Sequence, residues 1–226
     1  MTITIAAIHT ALPMIEMTKA LVKEYLPENV RLINITDDSL IQEVIREGKV
    51  TAAVTRRLMN CYYSAVDAGA DIIFNTCSSV GEVAAAARSI IPIPIVKIDD
   101  AMTQQAIERY SRIGVLATLA STLGPTVNLL KQKAAQKRKE IFVLEGLAKG
   151  AFEAMLNGDA ETHDNLILET AASIAADCGA LVLAQGSMAR MQIKLREVTG
   201  KDILASPVLG ILDLKNEVEK MLASAK

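Results

Sequence analysis

The sequence has no tryptophan, only 3% aromatic residues and no strong excess of either charge. So few aromatic side chains cannot form a platform on which nucleobases stack. The formal net charge of −2 also argues against nucleic acid or an anionic membrane surface as the main partner. No apolar run approaches the ~20 residues of a membrane-spanning helix, and the N-terminus lacks a signal-peptide pattern. The sequence therefore predicts a soluble, cytoplasmic protein.

Metal-binding and disulfide patterns are scarce as well. The three cysteines, Cys61, Cys77 and Cys178, show no CxxC spacing, and an odd number does not fit a disulfide framework. The two histidines, His9 and His163, are too isolated for a histidine-rich metal site. The glycine pattern GxGxxG is absent, which counts against a dinucleotide-binding oxidoreductase, and so is GxxxxGK[ST]. We therefore expect chemistry that runs without a metal.

Short β-branched runs alternate with longer segments of helical periodicity, such as residues 50–68. Most of the short runs are continuously apolar, which is typical of strands covered on both faces. The alternation predicts βαβ units and an α/β fold with parallel sheets. The predicted strands are Thr2–Ile8, Asn29–Ile35, Asp71–Asn75, Ile93–Lys97, Arg112–Ala117, Glu140–Leu144, Ala180–Ala184 and Ile203–Ser206.

The two halves of the chain resemble each other in four places that occur in the same order. This order predicts a duplicated half and two pseudo-symmetric lobes, the first formed by residues 1–99 and 207–226 and the second by residues 100–206. One match pairs Asn75 with Gln185 and Cys77 with Ser187. The matched segments are Ile5–Thr10 with Ile113–Thr118, Asp67–Ala70 with Asp177–Ala180, Asp71–Cys77 with Ala180–Ser187, and Pro94–Ile98 with Pro207–Ile211.

Polar residues follow several predicted strands at their carboxyl ends, where parallel sheets bind ligands. Cys77 lies between a strand and a predicted helix, where backbone N–H groups favour a thiolate or a bound carboxylate. We therefore expect Cys77 to act as an acid/base or a nucleophile, whereas Cys61 and Cys178 fit packing roles. A packing role for Cys77 and ordinary helix capping by Ser121 or Thr122 are the alternatives. The predicted ligand-contacting residues are His9, Thr10, Asn75, Thr76, Ser78, Ser79, Thr118, Ser121, Thr122, Gln185 and Gly186.

These segments resemble the aspartate/glutamate/hydantoin racemase superfamily. The resemblance implies two Rossmann-like lobes that face each other across an active-site cleft, a homodimer or other homo-oligomer, and no cofactor. It also implies that strand-end Asn, Ser and Thr side chains hold a substrate carboxylate while one cysteine per lobe moves the α-proton. The resemblance rests on residues Ala68–Ser79, Ile95–Ile98, Arg112–Thr118 with Ser121 and Thr122, and Cys178–Ser187.

The sequence departs from the family pattern at Ser187, where the pairing with Cys77 leads us to expect the second cysteine. A serine hydroxyl is a far weaker acid than a thiol. We expect an amino-acid racemase or isomerase that acts on a small carboxylic acid, with Cys77 and Ser187 as the catalytic residues and Ser187, His9 or water serving the second face. The alternatives are a single-thiol lyase of the malonate-decarboxylase type and a non-catalytic carboxylate-binding protein. Lys97 and Arg190 are candidates for recognising a second carboxylate.

Overall fold

The computed structural model describes residues 2–224, which form two compact units. The first unit runs to Asp100 and resumes at Pro207, and the second unit is Ala101–Ser206. We call these units the first lobe and the second lobe. Met1, Ala225 and Lys226, which the predicted first lobe includes, lie outside the described residues.

Each lobe contains a four-stranded parallel sheet, with order β2-β1-β3-β4 in the first lobe and β6-β5-β7-β8 in the second. This confirms the predicted α/β class and the two-lobed fold. All eight predicted strands are present, although most bounds differ by one to three residues. The strands are β1 (Ile3–His9), β2 (Val30–Thr36), β3 (Ile72–Asn75), β4 (Ile95–Lys97), β5 (Arg112–Ala117), β6 (Phe142–Leu147), β7 (Ala180–Leu183) and β8 (Asp202–Ala205).

Helices connect the strands of both sheets. The helix predicted over residues 50–68 is α3; the hydroxyl of Thr51 accepts a hydrogen bond from the Val54 N–H at 3.1 Å and caps its first turn. The α-helices in the described residues are α1 (Pro13–Tyr25), α2 (Ser39–Glu47), α3 (Ala52–Asp67), α4 (Gly81–Ala87), α5 (Asp100–Arg109), α6 (Ala120–Gln136), α7 (Ala151–Leu156), α8 (Ala160–Ala175), α9 (Gln192–Thr199) and α10 (Ser206–Ser224).

Two apolar layers cover the two faces of the first sheet. Because side chains alternate along a strand, Ala6 and Ile8 of β1 pack among α2, α3 and α4, while Ile3 and Ile5 point to the other face. There they pack with α1 and with Ile211 of α10. The last helix of the chain therefore belongs to the core of the first lobe.

The predicted match of Pro94–Ile98 with Pro207–Ile211 is wrong. Residues 207–211 lie in α10, whereas β4 corresponds to β8 in the sheet order. A proline is tolerated in the first turn of a helix, where its missing N–H has no partner to lose. The apolar Pro207–Ile211 segment resembled a strand only because it is buried along one side.

The strand pairings show that three of the four strands of each sheet repeat at a constant spacing along the chain, whereas β2 and β6 are 111 positions apart. Residues in matching places of β1 and β5, of β3 and β7, and of β4 and β8 are 108 positions apart. The helices that precede β3 and β7, α3 and α8, have 16 residues each and begin at the same spacing. Matching residues are Ile5 and Ile113, Ile72 and Ala180, Ile95 and Ile203, and Ala52 and Ala160.

The hydrogen bonds at the strand ends keep this spacing. The backbone N–H of Thr76 donates to the Ile8 carbonyl at 3.1 Å, and the N–H of Ala184 donates to the Leu116 carbonyl at 2.9 Å. Thr76 and Ala184 are therefore equivalent residues at the ends of the third and seventh strands.

This spacing corrects the predicted equivalence of Cys77 and Ser187. Cys77 follows Thr76 and corresponds to Gln185, and both residues are extended, with φ of −120° and −122°. Ser187 corresponds to Ser79. The predicted match of Asp71–Cys77 with Ala180–Ser187 was therefore displaced by two residues. Two apolar strands align almost equally well after a shift of two residues, because such a shift leaves each side chain on the same face of the sheet. The match of the Asp67–Ala70 segment is out by the same amount, since α3 ends at Asp67 and α8 at Ala175.

Candidate functional site

The turn that follows β3 carries Cys77 at the carboxyl edge of the first sheet. A short 3₁₀ turn, Ser78–Val80, leads from Cys77 into α4. The Thr10 hydroxyl and the backbone N–H groups of Ser79 and Val80 surround the partly buried Cys77 Sγ, and each of them lowers the pKa of the thiol. Three donors therefore converge on one sulfur atom, which is an arrangement that favours a thiolate.

Burial opposes these donors at Cys77. Burial raises the pKa of the thiol, and the negative charge of Asp99 raises that pKa further, whereas the donors from Thr10, Ser79 and Val80 lower it. The net result is a pKa above the ordinary value of a cysteine. Cys77 is therefore mainly a protonated thiol at neutral pH, surrounded by donors that stabilise the anion once it forms.

Asn75 connects the Cys77 turn to α3. The Tyr62 hydroxyl donates to Asn75 Oδ1 at 3.0 Å, and Asn75 Nδ2 donates to the Cys77 carbonyl oxygen at 2.9 Å. Tyr62 is fully buried and Asn75 almost so. Asn75 was predicted to contact the substrate. In the structure both polar atoms of its amide already form hydrogen bonds within the protein, one of them to the Cys77 turn.

His9 spans the carboxyl ends of three strands. Its Nε2 lies 2.9 Å from Asn34 Oδ1, and its Nδ1 lies 3.0 Å from the Thr76 hydroxyl. That hydroxyl also lies 2.9 Å from the Ile8 carbonyl oxygen, to which it donates, and the single N–H of a neutral imidazole belongs to Nε2, which donates it to Asn34 Oδ1. Burial lowers the pKa of His9. His9 has no exposed surface and both of its nitrogens lie close to polar side chains, so it supports Thr76; the substrate contacts predicted for His9 and Thr76 stay predictions.

Lys97 belongs to a buried group of charges at the end of β4. Its Nζ lies 3.6 Å from Asp99 Oδ1 and 3.7 Å from Asp100 Oδ1, and Arg88 contacts Asp100 at 2.6 Å. A Cβ added to Gly81, the first residue of α4, would lie 3.0 Å from Lys97 Cε. The lysine side chain therefore packs beneath the start of the helix that follows Cys77.

In the second lobe, Gln185 locks the end of β5 to the end of β7. The Thr118 backbone N–H donates to Gln185 Oε1 at 2.7 Å, and Gln185 Nε2 donates to the Thr118 hydroxyl oxygen at 2.7 Å. The residue equivalent to Cys77 thus forms a two-bond amide clamp. Gly186 begins the 3₁₀ turn Gly186–Met191, in which Ser187 is exposed.

The remaining predicted hydroxyls fall into two groups. The Thr122 hydroxyl donates to the Leu119 carbonyl at 2.9 Å, as in helix capping. The hydroxyl oxygens of Ser79 and Ser121 are buried and have no hydrogen-bond partner among residues 2–224. A buried hydroxyl without a hydrogen-bond partner lowers stability unless a ligand or water satisfies it. The hydroxyls of Ser79 and Ser121 therefore fit the predicted ligand contacts best. Ser78 is nearly buried in the same turn as Ser79.

Arg190 and His163 form a separate cluster in the second lobe. Arg190 Nη1 donates to Asp164 Oδ2 at 2.9 Å, and His163 Nδ1 lies 2.7 Å from Asp164 Oδ1. His163 is buried, and the side chain of Asp159 caps α8. Arg190 is thereby held by α8.

Sequence reasoning missed Tyr62 and the equivalence of Gln185 with Cys77. Tyr62 lies on the apolar stripe of α3, where a tyrosine looks like any core residue, and only the distance to Asn75 reveals its polar contact.

In the described part of the chain, no group of three or more His, Cys, Asp or Glu side chains could hold a metal ion. No helix among residues 2–224 has the length and apolar character needed to cross a membrane.

Comparison with known proteins places this geometry in context. The family model described as Asp/Glu/Hydantoin racemase matches residues 3–212. No curated protein sequence gives a significant match.

The fold is similar to those of solved racemases. Glutamate racemase from Francisella tularensis, solved with D-glutamate, has a TM-score of 0.76 at 13% identity, over 97% of this chain and 82% of that one. Allantoin racemase from Klebsiella pneumoniae has 0.66 at 17% identity, over 99% and 89%. Aspartate racemase from Picrophilus torridus has 0.69 at 12% identity, over 96% and 95%. With a family model that spans nearly the whole sequence and a fold shared with these enzymes, the chain belongs to the Asp/Glu/hydantoin racemase family.

Proposed function

We propose that this chain is a cofactor-independent isomerase of the racemase type that acts on a small carboxylic acid, with Cys77 as the acid/base at the α-carbon. The observation that carries the proposal is the convergence of the Thr10 hydroxyl and the Ser79 and Val80 N–H groups on Cys77 Sγ. Membership of a racemase family supports the reaction class. The named relatives act on glutamate, aspartate or allantoin, and an amino acid or a related compound is the corresponding substrate class here.

The proposed step is a proton transfer that balances within the site. The Cys77 thiol is protonated at rest and first gives up its proton to water. The thiolate then takes the α-proton, so the C–H bond breaks, the S–H bond forms again, and the electron pair spreads into the substrate carboxylate. Donors that face this carboxylate lower the energy of the enediolate. In the first lobe, the Ser79 hydroxyl, buried without a partner in the described residues, is a candidate for that role together with Ser78; Ser121 and Thr118 stay predicted contacts of the second lobe.

The residue equivalent to Cys77 in the second lobe has no proton to exchange near neutral pH, because an amide side chain does not titrate there. Gln185 is moreover bound to Thr118 through both amide atoms. Of the earlier candidates for the second face, His9 is buried and Ser187 is a weak acid. We infer that water delivers or removes the proton on that face.

The direct test is hydrogen–deuterium exchange at the α-carbon in D₂O, followed by NMR over a panel that includes both enantiomers of glutamate and aspartate and allantoin. We expect Cys77→Ala to abolish the exchange. Cys61→Ala is the matched control, because Cys61 is also a partly buried thiol with a pKa raised by burial, and it should retain the exchange. Undiminished exchange in Cys77→Ala would remove Cys77 from the mechanism.

A single-thiol lyase is the second candidate, favoured by the raised pKa of Cys77. A thiol that is protonated at rest can donate its proton to the enediolate left when CO₂ departs from a malonate-type acid. CO₂ release, with one deuterium incorporated per product in D₂O, would identify this reaction. Saturable binding of the same acids without turnover or exchange would identify a binding protein instead.

The family resemblance supports a homodimer, and the sequence pattern supports a cytoplasmic location. We propose a homodimeric, cytoplasmic protein. Light scattering of the purified chain tests the first statement, since the mass of a monomer is 24.2 kDa. Fractionation of cells that express the chain tests the second.

A further inference from the structure

We propose that Tyr62 is a positioning residue that acts through Asn75 to hold the Cys77 turn in the form that presents two backbone N–H groups to the sulfur. The inference rests on the proposed role of Cys77, although its main readout, the reactivity of the thiol, does not require the substrate to be known. The argument follows from three hydrogen bonds and from a comparison of the two lobes.

The Tyr62 hydroxyl determines how the Asn75 amide is oriented. A buried tyrosine hydroxyl needs a partner, and Asn75 Oδ1 accepts its proton at 3.0 Å. That contact turns Nδ2 toward the Cys77 carbonyl oxygen, to which it donates at 2.9 Å. The reverse orientation would place Oδ1 against the carbonyl oxygen, and two acceptors repel each other. The hydroxyl and the carbonyl thus select one amide orientation together.

The Cys77 carbonyl in turn fixes the peptide that leads into Ser78–Val80. The N–H groups of Ser79 and Val80, which follow directly, lower the pKa of the Cys77 thiol. A carbonyl held by Asn75 therefore keeps these two donors aimed at the sulfur. Without the Tyr62 hydroxyl, Asn75 loses its orientation, the turn loosens, and the thiolate loses part of its stabilisation.

The second lobe serves as an internal control. At the spacing of 108 residues that relates the lobes, Tyr62 corresponds to Thr170 and Asn75 to Leu183. The Thr170 hydroxyl donates to the Leu166 carbonyl of its own helix at 2.7 Å, and Leu183 has no polar side-chain atom. The relay is therefore present where the equivalent position holds a thiol and absent where it holds Gln185.

Other groups near the Cys77 turn remain in place when the Tyr62 hydroxyl is removed. The charged groups include Asp99, which raises the pKa of the Cys77 thiol, Lys97, whose Nζ lies 3.6 Å from Asp99 Oδ1, and Arg88, whose charge acts on Tyr62. The ring nitrogens of His9 in β1 lie close to Thr76 and Asn34, and the charge of Lys19 also acts on His9. A change of thiol reactivity in Tyr62→Phe therefore reports the relay and not a change of charge.

The test is the rate of alkylation of Cys77 by iodoacetamide as a function of pH, measured by peptide mass spectrometry to separate it from Cys61 and Cys178. In Tyr62→Phe we expect the midpoint of the profile to move up by about half a pH unit. Tyr110→Phe is the matched control: the Tyr110 hydroxyl also donates to a side chain, Asp202 Oδ2 at 2.7 Å, but lies in the second lobe. Its profile should coincide with that of the unmodified chain.

A second variant separates a relay from a general loss of packing. Asn75→Leu introduces the residue found at the equivalent place in the second lobe, and should shift the profile in the same direction as Tyr62→Phe. Because the two residues act in series, the double variant should shift it no further than Asn75→Leu alone. Additive shifts, or an unmoved profile in either folded single variant, would overturn the proposal.

The alkylation experiment tests the role of Tyr62 separately from the proposed reaction. If Cys77→Ala retains α-proton exchange while Tyr62→Phe shifts the alkylation profile, the relay stands and the reaction is wrong. If Cys77 is essential, Tyr62→Phe should lower kcat, because it alters the proton-transfer group, and should move the pH profile of kcat in the same direction as the alkylation profile.

Discussion

His9 illustrates how burial couples one side chain to the stability of the whole lobe. Burial lowers the pKa of His9 from its ordinary value of 6.5, so the unfolded chain binds this proton more readily than the folded chain. The contribution to stability is present above the unfolded pKa and is lost as the pH falls toward the folded pKa. We expect the free energy of unfolding in urea to fall between about pH 7.5 and about pH 5.5.

The variant His9→Gln isolates this contribution, since the carboxylates that also titrate on acidification are common to both chains. The variant should be less stable at the upper pH and show a shallower decline on acidification. Parallel pH profiles for the two proteins would contradict the assignment of a neutral, buried imidazole.

Gln185 and Ser187 should differ in their effect on stability. Gln185→Ala removes two hydrogen bonds at the end of β5 and leaves the Thr118 N–H without its acceptor. We expect a loss of about 1–3 kcal/mol in the free energy of unfolding by urea. Ser187→Ala, at an exposed position, should stay within about 0.5 kcal/mol of the unmodified chain. Equal losses would show that Gln185 does not clamp the strand ends.

The position of a single residue could be predicted from the sequence where the residue directly follows a predicted strand. Cys77 and Thr10 follow strands, and their place at the carboxyl edge follows from the strand pattern alone. Tyr62 was not predictable, because its hydroxyl gains meaning only from the packing of α3 on β3. The equivalence of Cys77 and Ser187 failed because apolar strands align equally well after a shift of two residues.

At the scale of elements, α10 packs so closely on the first lobe that position 210 accepts only glycine. A Cβ at Gly210 would lie 2.5 Å from the Ile98 carbonyl oxygen, a backbone atom that cannot move aside without displacing the chain. We expect Gly210→Ala to lower the free energy of unfolding by about 1–3 kcal/mol.

Gly124→Ala is the matched control for this prediction. Gly124 also lies inside a helix, α6, but apart from its chain neighbours no atom would lie within 4 Å of an added Cβ. Alanine favours the helix over glycine, whereas a Cβ directly before Pro125 disfavours the helical backbone, so this variant should stay within about 1 kcal/mol of the unmodified chain. Urea unfolding of both proteins measures the difference, and a neutral Gly210→Ala would refute the close contact.

The elements themselves were largely predictable, and their ends were less so. The strand Arg112–Ala117 has the predicted bounds, because charged and polar residues flank its apolar run. The last helix begins at Ser206 and includes Pro207–Ile211, the segment that was matched to Pro94–Ile98, because Pro207 fits the first turn of a helix. A sequence pattern alone does not tell such a proline from one that ends a strand.

At the scale of the molecule, the first lobe depends on a helix that is distant in sequence. Ile211, Leu214 and Val218 of α10 are fully buried in its core, and full burial of each contributes about 1.5–3 kcal/mol. The sum is comparable to the net stability of a domain, about 5–15 kcal/mol. A chain that ends at Ser206 should therefore lose the fold of the first lobe.

Hydrogen exchange measures this loss separately in each lobe. In the chain that ends at Ser206, the amides of β1 should lose their protection, whereas those of β5 in the second lobe should keep most of theirs. Equal protection of β1 and β5 would show that α10 is dispensable.

The contribution of α10 to the first lobe also sets an order of assembly on the ribosome. The sheet that carries Cys77 is translated first, but its apolar face stays uncovered until residues 207–224 have emerged. The second lobe, built from the uninterrupted segment Ala101–Ser206, has all its own residues earlier. The half of the protein that is synthesised first is thus the half that finishes folding last, and during synthesis Cys77 belongs to an unfinished domain.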